Sequence, residues 1–288
     1  MADRIPAPRD DSSGRRFLVY TSAGDRSAIT GWLSPGTARP FDTWISYYGA
    51  IPGRYRELGE YYRERSGGKF PSLASDYRCH PEIFQRYDAV FVPDDDIEIS
   101  ARAIARLFEL RQQYDLWLLQ PAFSPRGRIS HPITRMRAEA KIRFTNFVEV
   151  TCPLFRRDKL ELFLAQYDPS LVGYGVDWWF CELIGGGSAR KIAIADQIPC
   201  VNPLARPNGD GLREIDRLQP EEERMRMWEG VKVRHHLIGE GAGYETFGLV
   251  RQSAFARQIN GVRLSLDHAL GLSHRLRRRL RAYATQAK

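Results

Sequence analysis

Short apolar runs alternate with amphipathic stretches along most of this chain. Apolar runs of roughly four to eight residues bounded by turn-forming residues predict buried strands. The predicted strands lie at 17–20, 41–48, 69–74, 89–93, 115–120, 144–155 (interrupted by Pro153) and 192–195. Apolar positions at helical spacing predict helices at 100–114, 157–166, 178–184, 221–234 and 264–283. This alternation predicts an α/β fold with a central sheet flanked by helices, plus a C-terminal helical extension.

The pattern also predicts where the domain begins and ends. No internal repeat or low-complexity linker interrupts residues 16–205, which we interpret as one domain. Residues 1–15 form a polar leader that is expected to be disordered. Residues 206–262 are expected to form a helical and loop extension packed on the domain, and 263–288 a basic amphipathic helix. The apolar face predicted for that last helix consists of Leu272, Leu276, Leu280 and Tyr283.

Composition excludes several classes of protein. The chain has 288 residues, of which 43% are hydrophobic and 27% charged, as in ordinary globular proteins. It has no apolar stretch of the roughly 18 residues needed to span a membrane and no signal peptide at its start, so we expect a cytoplasmic protein. Four scattered cysteines without a C-x-x-C pair fit neither a zinc site nor a disulfide framework.

Positive charge is concentrated at the C-terminus. The net charge is +8, and six positive side chains lie in the last 14 residues, with no acid among them. Leucines on one face and arginines on the rest of a helix predict binding to an anionic membrane surface. The protein would then be peripheral at the inner face of the membrane. The alternative is a helix that packs on its own domain.

Three consecutive carboxylates, Asp94, Asp95 and Asp96, follow the apolar run 89–93. Open α/β sheets bind ligands beyond the carboxyl ends of their strands, where these acids are expected to lie. A divalent cation with oxygen ligands, Mg²⁺ or Mn²⁺, would relieve their mutual repulsion and neutralise the diphosphate of a nucleotide. The alternative is an acidic cap for the helix that begins near Ser100.

A second motif is Gly-Tyr-Gly-Val-Asp-Trp-Trp at 173–179. Two glycines two positions apart allow a tight turn or the close approach of a ligand. Asp177 is expected at the start of a helix, where its carboxylate can accept a proton from a sugar hydroxyl. The rings of Tyr174, Trp178 and Trp179 offer apolar platforms for an acceptor sugar. The alternative is that Asp177 is a helix N-cap and that the tryptophans fill the core.

Other polar residues are candidate ligand contacts. Glu149 interrupts an apolar run, so it needs a partner or a polar cleft, and it is the second candidate acid for contact with the acceptor. His131 and Arg135 lie in an arginine-rich loop that suits diphosphate, the alternative being a solvated basic loop. Lys69 is a candidate phosphate ligand or a surface residue.

Together, the acidic triplet and the Gly-aromatic-Gly-x-Asp-Trp turn about 80 residues later resemble the layout of GT-A glycosyltransferases. More closely, the chain resembles a family of proposed glycosyltransferases from bacteria and plants that is catalogued as a domain of unknown function. The similar segments are TSAGD, KFPSL, YDAVFVPDDDIEI, YDLWLLQPAFS, HPITR, FTNFVEVTCPLFRRDKL, VGYGVDWWF and KIAIAD. The resemblance implies a single GT-A-like (Rossmann-like) domain over 16–205, with a mainly parallel central sheet flanked by helices.

The resemblance also implies a metal site. Asp96 would be the direct ligand, Asp94 would face ribose or metal, and Asp95 would be the variable centre that faces solvent or caps the backbone. Many GT-A enzymes supply a third ligand, often His, after the last strand of the sheet. This chain has Asn202 there, whose amide oxygen is a weaker ligand. His131 is a candidate substitute.

For the donor and the base, the resemblance implies further roles. The loop after the first strand, with Thr21, Ser22 and Asp25, would hold the nucleobase. Asp25 would contact base or ribose, the alternative being that it only shapes a turn. Asp177 would be the general base, which implies an inverting reaction.

We therefore expect a metal-dependent glycosyltransferase with a nucleotide-sugar donor and a saccharide or lipid-linked acceptor, such as a precursor of a surface polysaccharide or glycolipid. One alternative is a sugar nucleotidyltransferase, which usually needs a glycine-rich basic loop after the first strand. The loop 21–25 has one glycine and no lysine. Another is a non-catalytic protein that binds nucleic acid or an anionic surface. No nucleic-acid partner is expected, because the acidic triplet would repel phosphate without a metal and the arginines of the C-terminal tail are confined to one helix.

Overall fold

A computed structural model describes residues 14–33, 39–185, 190–204 and 214–286, with the side chains of 214 and 274–286 outside the description. Most of the predicted leader, residues 1–13, also lies outside it. The strands are β1 (Phe17–Ala23), β2 (Phe41–Tyr47), β3 (Tyr61–Glu64), β4 (Ala89–Phe91), β5 (Leu118–Phe123), β6 (Ala140–Thr145), β7 (Leu154–Arg156), β8 (Ile192–Cys200) and β9 (Thr246–Arg251).

These strands form one mixed sheet in the order β3-β2-β1-β4-β7-β5-β8-β6-β9. The strands β3, β2, β1 and β4 are parallel to their neighbours, and β5 is parallel to β8. Antiparallel pairings join β7 to β4 and β5, and β6 to β8 and β9. The α/β fold with one central sheet is confirmed, but the sheet is mixed rather than mainly parallel, because β6 and β7 pair with their neighbours in the antiparallel direction. Its longest parallel section is the one that contains β1 and β4.

Helices cover both faces of the sheet. They are α1 (Ile29–Trp32), α2 (Lys69–Cys79), α3 (Pro81–Phe84), α4 (Ala101–Gln113), α5 (Arg157–Leu164), α6 (Val176–Gly185), α7 (Glu214–Leu218), α8 (Glu221–His235) and α9 (Ala254–Gln286). Apolar side chains of α2, α5, α6 and α8 form the core on one face, and those of α1 and α4 form it on the other. The predicted helices at 100–114, 157–166, 178–184 and 221–234 are confirmed as α4, α5, α6 and α8. The predicted helix 264–283 lies within α9.

The predicted strand at 69–74 is wrong, because this segment forms the first half of α2. Phe70, Leu73 and Ala74 are buried together. Their spacing of three and four residues is that of a helix face rather than of a strand. Pro71 is tolerated because it lies in the first helical turn, where N–H groups have no partner within the helix. The apolar run was too short to distinguish the two periods.

The predicted long strand at 144–155 is also wrong. The structure has β6 and β7 at its two ends and a loop between them. The backbone of this loop bonds to other parts of the chain instead of a neighbouring strand: Val150 donates to Asp177, and Thr151 accepts from Asp94. The extension after residue 205 contributes β9, a strand that the sequence did not predict and that pairs with β6 at the edge of the sheet.

Candidate functional site

The acidic triplet follows β4 at the carboxyl ends of the parallel strands. Two hydrogen bonds fix the start of this turn: the N–H of Asp94 donates to the carbonyl of Thr151 (2.7 Å), and the Thr21 hydroxyl on β1 donates to the carbonyl of Pro93 (2.9 Å). The N–H of Ile97 closes the turn by donating to the carbonyl of Asp94 (3.2 Å). The triplet therefore lies where open α/β sheets bind their ligands.

Asp95 connects the triplet to the loop after β1. Its carboxylate accepts from the N–H of Gly24 (3.0 Å), and its carbonyl accepts from the Ser27 hydroxyl (3.0 Å) and the N–H of Ala28 (2.6 Å). Burial raises the pKa of Asp95 to about 8; the Gly24 N–H opposes this shift, and the charges of its two acidic neighbours add to it. Asp95 thus holds two loops together.

Asp96 is the exposed acid of the triplet. Partial desolvation, followed by repulsion from Asp94, raises the pKa of Asp96 to about 6, while the charges of Lys69 and Arg128 oppose the shift. Asp96 forms no ion pair with any residue that the structure describes. Its oxygens are therefore available to a cation.

Lys69, the first residue of α2, connects the triplet to the loop between β6 and β7. Its ammonium donates to the carbonyls of Val92 (2.9 Å) and Val150 (2.8 Å) and pairs with Asp94 (2.6 Å). The side chain is only 9% exposed. An ammonium has three protons, and these partners use all of them. In this arrangement Lys69 fixes the position of Asp94. The contact with phosphate that the sequence suggested for Lys69 is not supported by this arrangement.

Asp177 lies in the first turn of α6, directly after a tight turn that requires glycine. Gly175 has a φ of 78°, and a Cβ atom there would collide with the ring of Trp228. The buried Asp177 carboxylate accepts from the N–H of Trp178 (3.0 Å) and of Val150 (3.4 Å). Burial outweighs these donors and raises the pKa of Asp177 to about 7. A carboxylate with such a pKa suits proton transfer near neutral pH.

Val150 joins the two acidic motifs. Its N–H donates to Asp177, and its carbonyl accepts from Lys69, which is paired with Asp94. This continuous series of contacts connects the triplet to Asp177. We name the region lined by the acids at 94–96, 149 and 177 the cleft.

Glu149 is a further acid of this cleft. The Thr151 hydroxyl donates to its Oε1 (2.7 Å), whereas its Oε2 is buried and has no hydrogen-bond partner among the described residues. Burial raises the pKa of Glu149 to about 7; the Thr151 bond opposes the shift, and the charges of Asp177 and Asp94 add to it. A buried polar atom without a protein partner needs an explanation, and one is a site for water or ligand.

His131 contacts Asp177 as a neutral ring. Its Nδ1 lies 2.6 Å from the Tyr244 hydroxyl, and its Nε2 lies 3.8 Å from Oδ2 of Asp177. Burial, followed by the charge of Arg128, lowers the pKa of His131 to about 4, so the imidazole is neutral near pH 7. If Tyr244 donates to Nδ1, the ring proton is on Nε2, next to Asp177. These contacts suit orientation of Asp177 better than binding of a metal.

Tyr244 forms the exposed surface of an aromatic cluster beside Asp177, and the sequence did not point to it. It is 45% exposed, and its ring stacks on Trp178 with centroids 5.4 Å apart. Trp178 is largely buried beneath it, and Trp179 is fully buried in the core against Phe163. Neighbouring residues on a helix point about 100° apart, so the two tryptophans face different surroundings. The acceptor contact predicted for Trp179 is therefore withdrawn, whereas Tyr174 remains exposed.

The residues predicted to hold the nucleobase lie at the end of β1. Thr21 is buried and already hydrogen-bonded, and Ser22 has a buried hydroxyl without a partner among the described residues. Asp25 accepts from the Tyr47 hydroxyl and from the N–H of Ala50 (3.1 Å), and the first of these bonds lowers its pKa. Because both carboxylate oxygens are used, Asp25 shapes this loop.

Asn202 lies beside the triplet. Its neighbour Val201 forms an antiparallel bridge with Glu98, and each N–H donates to the carbonyl of the other (2.9 and 3.1 Å). Because Glu98 is two residues after Asp96, this bridge places the Asn202 backbone next to the acidic turn. Arg135 is exposed.

A buried ion pair supports the loop of His131 and Arg135. The guanidinium of Arg143 contacts the carboxylate of Asp196 at 2.8 and 3.0 Å, and both side chains are fully buried. Arg143 also donates to the carbonyls of Ile133 and Arg135, both at 2.8 Å. The pair therefore fixes the loop to the sheet.

Replacing Arg143 by Met is expected to lower the free energy of unfolding by about 3 kcal/mol or more, because Asp196 would keep a buried charge without its partner. Urea unfolding measures this effect. The double variant Arg143→Met, Asp196→Leu is the control, and it should recover most of the loss. A loss below about 1 kcal/mol in the single variant would contradict the importance given to the pair.

Stability is expected to fall as pH rises, because Asp95, Glu149, Asp177 and Asp96 have pKa values of about 8, 7, 7 and 6, above ordinary values of 3.8 to 4.5. Between about pH 4 and pH 8 these four carboxyls hold more protons in the folded chain than in the unfolded chain, which outweighs the opposite effect of His131, whose pKa is lowered to about 4, so the free energy of unfolding decreases with pH. We expect a lower melting temperature at about pH 8 than at about pH 5.5. Asp95→Asn should flatten this dependence, and a melting temperature that rises over the same range would contradict it.

The donor set fits a cation that is shared with a diphosphate. No group of three or more His, Cys, Asp or Glu side chains within the described residues can hold a metal alone. The acids at 94 and 96 and the neighbouring Asn202 provide fewer oxygen ligands than a cation requires. Mg²⁺ and Mn²⁺ are commonly bound by one or two carboxylates together with substrate phosphates and water.

Among solved structures, the chain is similar to three crystal structures of S. aureus TarS. TarS 1-349 has 12% identity and a TM-score of 0.45, with 65% of this chain and 60% of that chain covered. TarS 1-349 in complex with UDP has 11% identity and a TM-score of 0.43, with coverage of 76% and 71%. The structure titled TarS has 12% identity and a TM-score of 0.44, with coverage of 79% and 45%. This chain thus spans 60% of the first of these chains.

No curated protein matches this chain. Residues 76–146 match the family described as "Protein of unknown function (DUF707)". The matched segment contains the acidic triplet and His131. The match confirms that the chain resembles a family catalogued as a domain of unknown function.

Proposed function

We propose that this protein is a metal-dependent glycosyltransferase that moves a sugar from a nucleotide-sugar to a hydroxyl acceptor with inversion at the anomeric carbon. The observation that carries the proposal is the series of contacts from Asp94 through Lys69 and Val150 to Asp177. It supports the proposal that a cation site and a general base act on one bound donor.

On the donor side, Asp96 would bind Mg²⁺ or Mn²⁺ directly, with Asp94 and Asn202 as further oxygen ligands. The bound cation would neutralise the charge that develops on the departing diphosphate. Arg128 is exposed, and its charge acts on both Asp96 and Glu149, so it suits a diphosphate contact. Ser22, whose buried hydroxyl has no partner among the residues that the structure describes, supports a nucleotide site at the end of β1 with Thr21.

On the acceptor side, Asp177 would take the proton of the attacking hydroxyl. The hydroxyl oxygen forms a bond to the anomeric carbon, the bond from that carbon to the phosphate oxygen breaks, and the nucleoside diphosphate leaves. His131 and Tyr244 would hold the Asp177 carboxylate in position. A base on the side opposite to the leaving group implies inversion.

The acceptor would rest on the exposed rings of Tyr244 and Tyr174 beside Asp177. The unpartnered oxygen of Glu149 is a candidate hydrogen-bond acceptor for one of its hydroxyls. A saccharide fits this combination of apolar rings and carboxylates, so the proposal extends to polysaccharide or glycolipid synthesis with a saccharide or lipid-linked acceptor.

The experiment is a screen of nucleotide-sugars with Mn²⁺ or Mg²⁺ and saccharide acceptors, in which release of nucleoside diphosphate and the glycosylated product are measured. The proposal predicts metal-dependent release with a product of inverted anomeric configuration, which NMR determines. Pyrophosphate formed from a nucleoside triphosphate and a sugar phosphate would instead identify a nucleotidyltransferase. That reaction is disfavoured, since Gly24 in the loop after β1 uses its N–H on Asp95 and not on phosphate.

A further inference from the structure

Helix α9 exposes a continuous apolar stripe on the outside of the protein. The outer stripe, as we name it, consists of residues three or four positions apart: Phe255, Ile259, Val262, Leu266 and Leu270. Their exposed fractions range from 48% to 75%. This spacing places all five side chains on one face of the helix.

The opposite face of α9 is attached to the domain. Leu264 packs against the hydrophobic core, Asp267 accepts a hydrogen bond from the Ser124 hydroxyl (2.6 Å), and Gly271 is buried. These contacts fix the rotation of the helix about its own axis. The outer stripe therefore faces away from the domain.

In most surface helices the apolar stripe faces the core, whereas the outer stripe of α9 faces away from it. A contiguous exposed apolar patch marks a surface at which a protein binds another molecule or a membrane. The sequence-based face for this helix was Leu272, Leu276, Leu280 and Tyr283. Leu272 is exposed, and the other three side chains lie outside the described residues.

We propose that the outer stripe of α9 binds the surface of an anionic lipid bilayer. Charge complementarity identifies this partner: residues 254–286 contain seven arginines and a single acid, Asp267, which is engaged with Ser124. A second copy of the chain packed stripe to stripe would bring two arginine-rich helices together, which like-charge repulsion disfavours. Anionic headgroups attract the same arginines, and the apolar side chains enter the boundary of the acyl chains.

The helix lies on the bilayer and does not cross it. Among the described residues, no helix has both the length and the apolar content of a membrane span. An arginine-rich helix with one apolar face is the pattern of an interfacial helix.

The attachment point of α9 is close to the rim of the cleft. The Ser124 hydroxyl that binds Asp267 also accepts from the N–H of Arg126, in the loop that leads to Arg128. Membrane binding through α9 therefore holds this rim near the bilayer, where a lipid-linked acceptor is located. This last consequence rests on the proposed function, whereas the binding itself does not.

The test is co-sedimentation of the full chain with vesicles of phosphatidylcholine and phosphatidylglycerol, and with vesicles of phosphatidylcholine alone. We expect binding to the anionic vesicles that weakens with salt. The double variant Ile259→Ser, Leu266→Ser should lose at least about tenfold in affinity for these vesicles, since it buries less apolar surface at the interface. The matched control is Val233→Ser, which removes an apolar side chain that is exposed on α8 and lies outside the outer stripe, and which should leave binding within about twofold.

Undiminished binding by the double variant, or equal binding of the natural chain to neutral vesicles, would overturn the proposal. It would also be overturned if neither the natural chain nor the double variant bound vesicles, while light scattering showed a dimer of the natural chain that the double variant does not form. Thermal melting of both variants checks that the fold is retained. Asp177→Asn should bind vesicles like the natural chain, so a failure of the catalytic proposal remains distinguishable from a failure of this one.

Discussion

Asp177→Asn is expected to slow glycosyl transfer by about 10²- to 10⁴-fold, while the affinity for nucleotide in the presence of Mn²⁺ stays unchanged. The amide has nearly the shape of the carboxylate, and its oxygen can still accept from the N–H of Trp178. It cannot take the proton of the acceptor. The effect therefore falls on the rate of the chemical step, which single-turnover measurements with radiolabelled donor would show.

Asp168→Asn is the matched control, because Asp168 also accepts from a backbone N–H, that of Ser170 (3.0 Å), but is not one of the acids of the cleft. It should keep full activity. Because the base must be deprotonated, kcat/KM of the natural enzyme should rise with pH through about 7, the pKa of Asp177. Full transfer activity in Asp177→Asn would contradict the assignment of the base.

Asp96→Ala is expected to remove metal-dependent nucleotide binding and to lower turnover by about 10²-fold or more, because a cation held by Asp96 would stabilise the leaving group by several kcal/mol. Calorimetry with a nucleoside diphosphate, with and without Mn²⁺, measures the binding. The control is Glu98→Ala, an exposed acid two residues away that pairs with Arg126 (2.8 Å). If Asp96→Ala retained its response to Mn²⁺, the triplet would not be the cation site.

The acidic triplet and Asp177 could be located from sequence because each follows a strong local signal. The run 89–93 reads as a buried strand, so the acids after it had to lie at the carboxyl end of the sheet. The two glycines before Asp177 required a tight turn, and Gly175 does have a positive φ and no room for a Cβ. Local pattern therefore determined the position of both motifs along the fold.

The partners of these acids could not be located in the same way. Lys69 reaches Val150 across 81 residues of chain, and Arg143 reaches Asp196 across 53. Hydropathy patterns carry no information about which distant side chains meet. Lys69 was moreover misplaced because an apolar run of six residues fits a strand or a helix equally well.

The aromatic surface shows a related limit. The sequence points to both Trp178 and Trp179, but only the helix register decides which of them lies nearer the cleft. That residue is Trp178, and the ring of Tyr244 covers it. The available signal for Tyr244 was its position directly after the glycine-rich stretch 239–243. Such stretches often form loops in which an exposed ring serves binding.

The most direct test of the central claim is the anomalous diffraction of Mn²⁺ in crystals grown with a nucleoside diphosphate. We predict one Mn²⁺ peak bound by Asp96 and by diphosphate oxygens, with the carboxylate of Asp177 facing the same bound nucleotide across a space for one sugar. A cation bound away from residues 94–96, or a diphosphate on the side of the sheet opposite to Asp177, would contradict it.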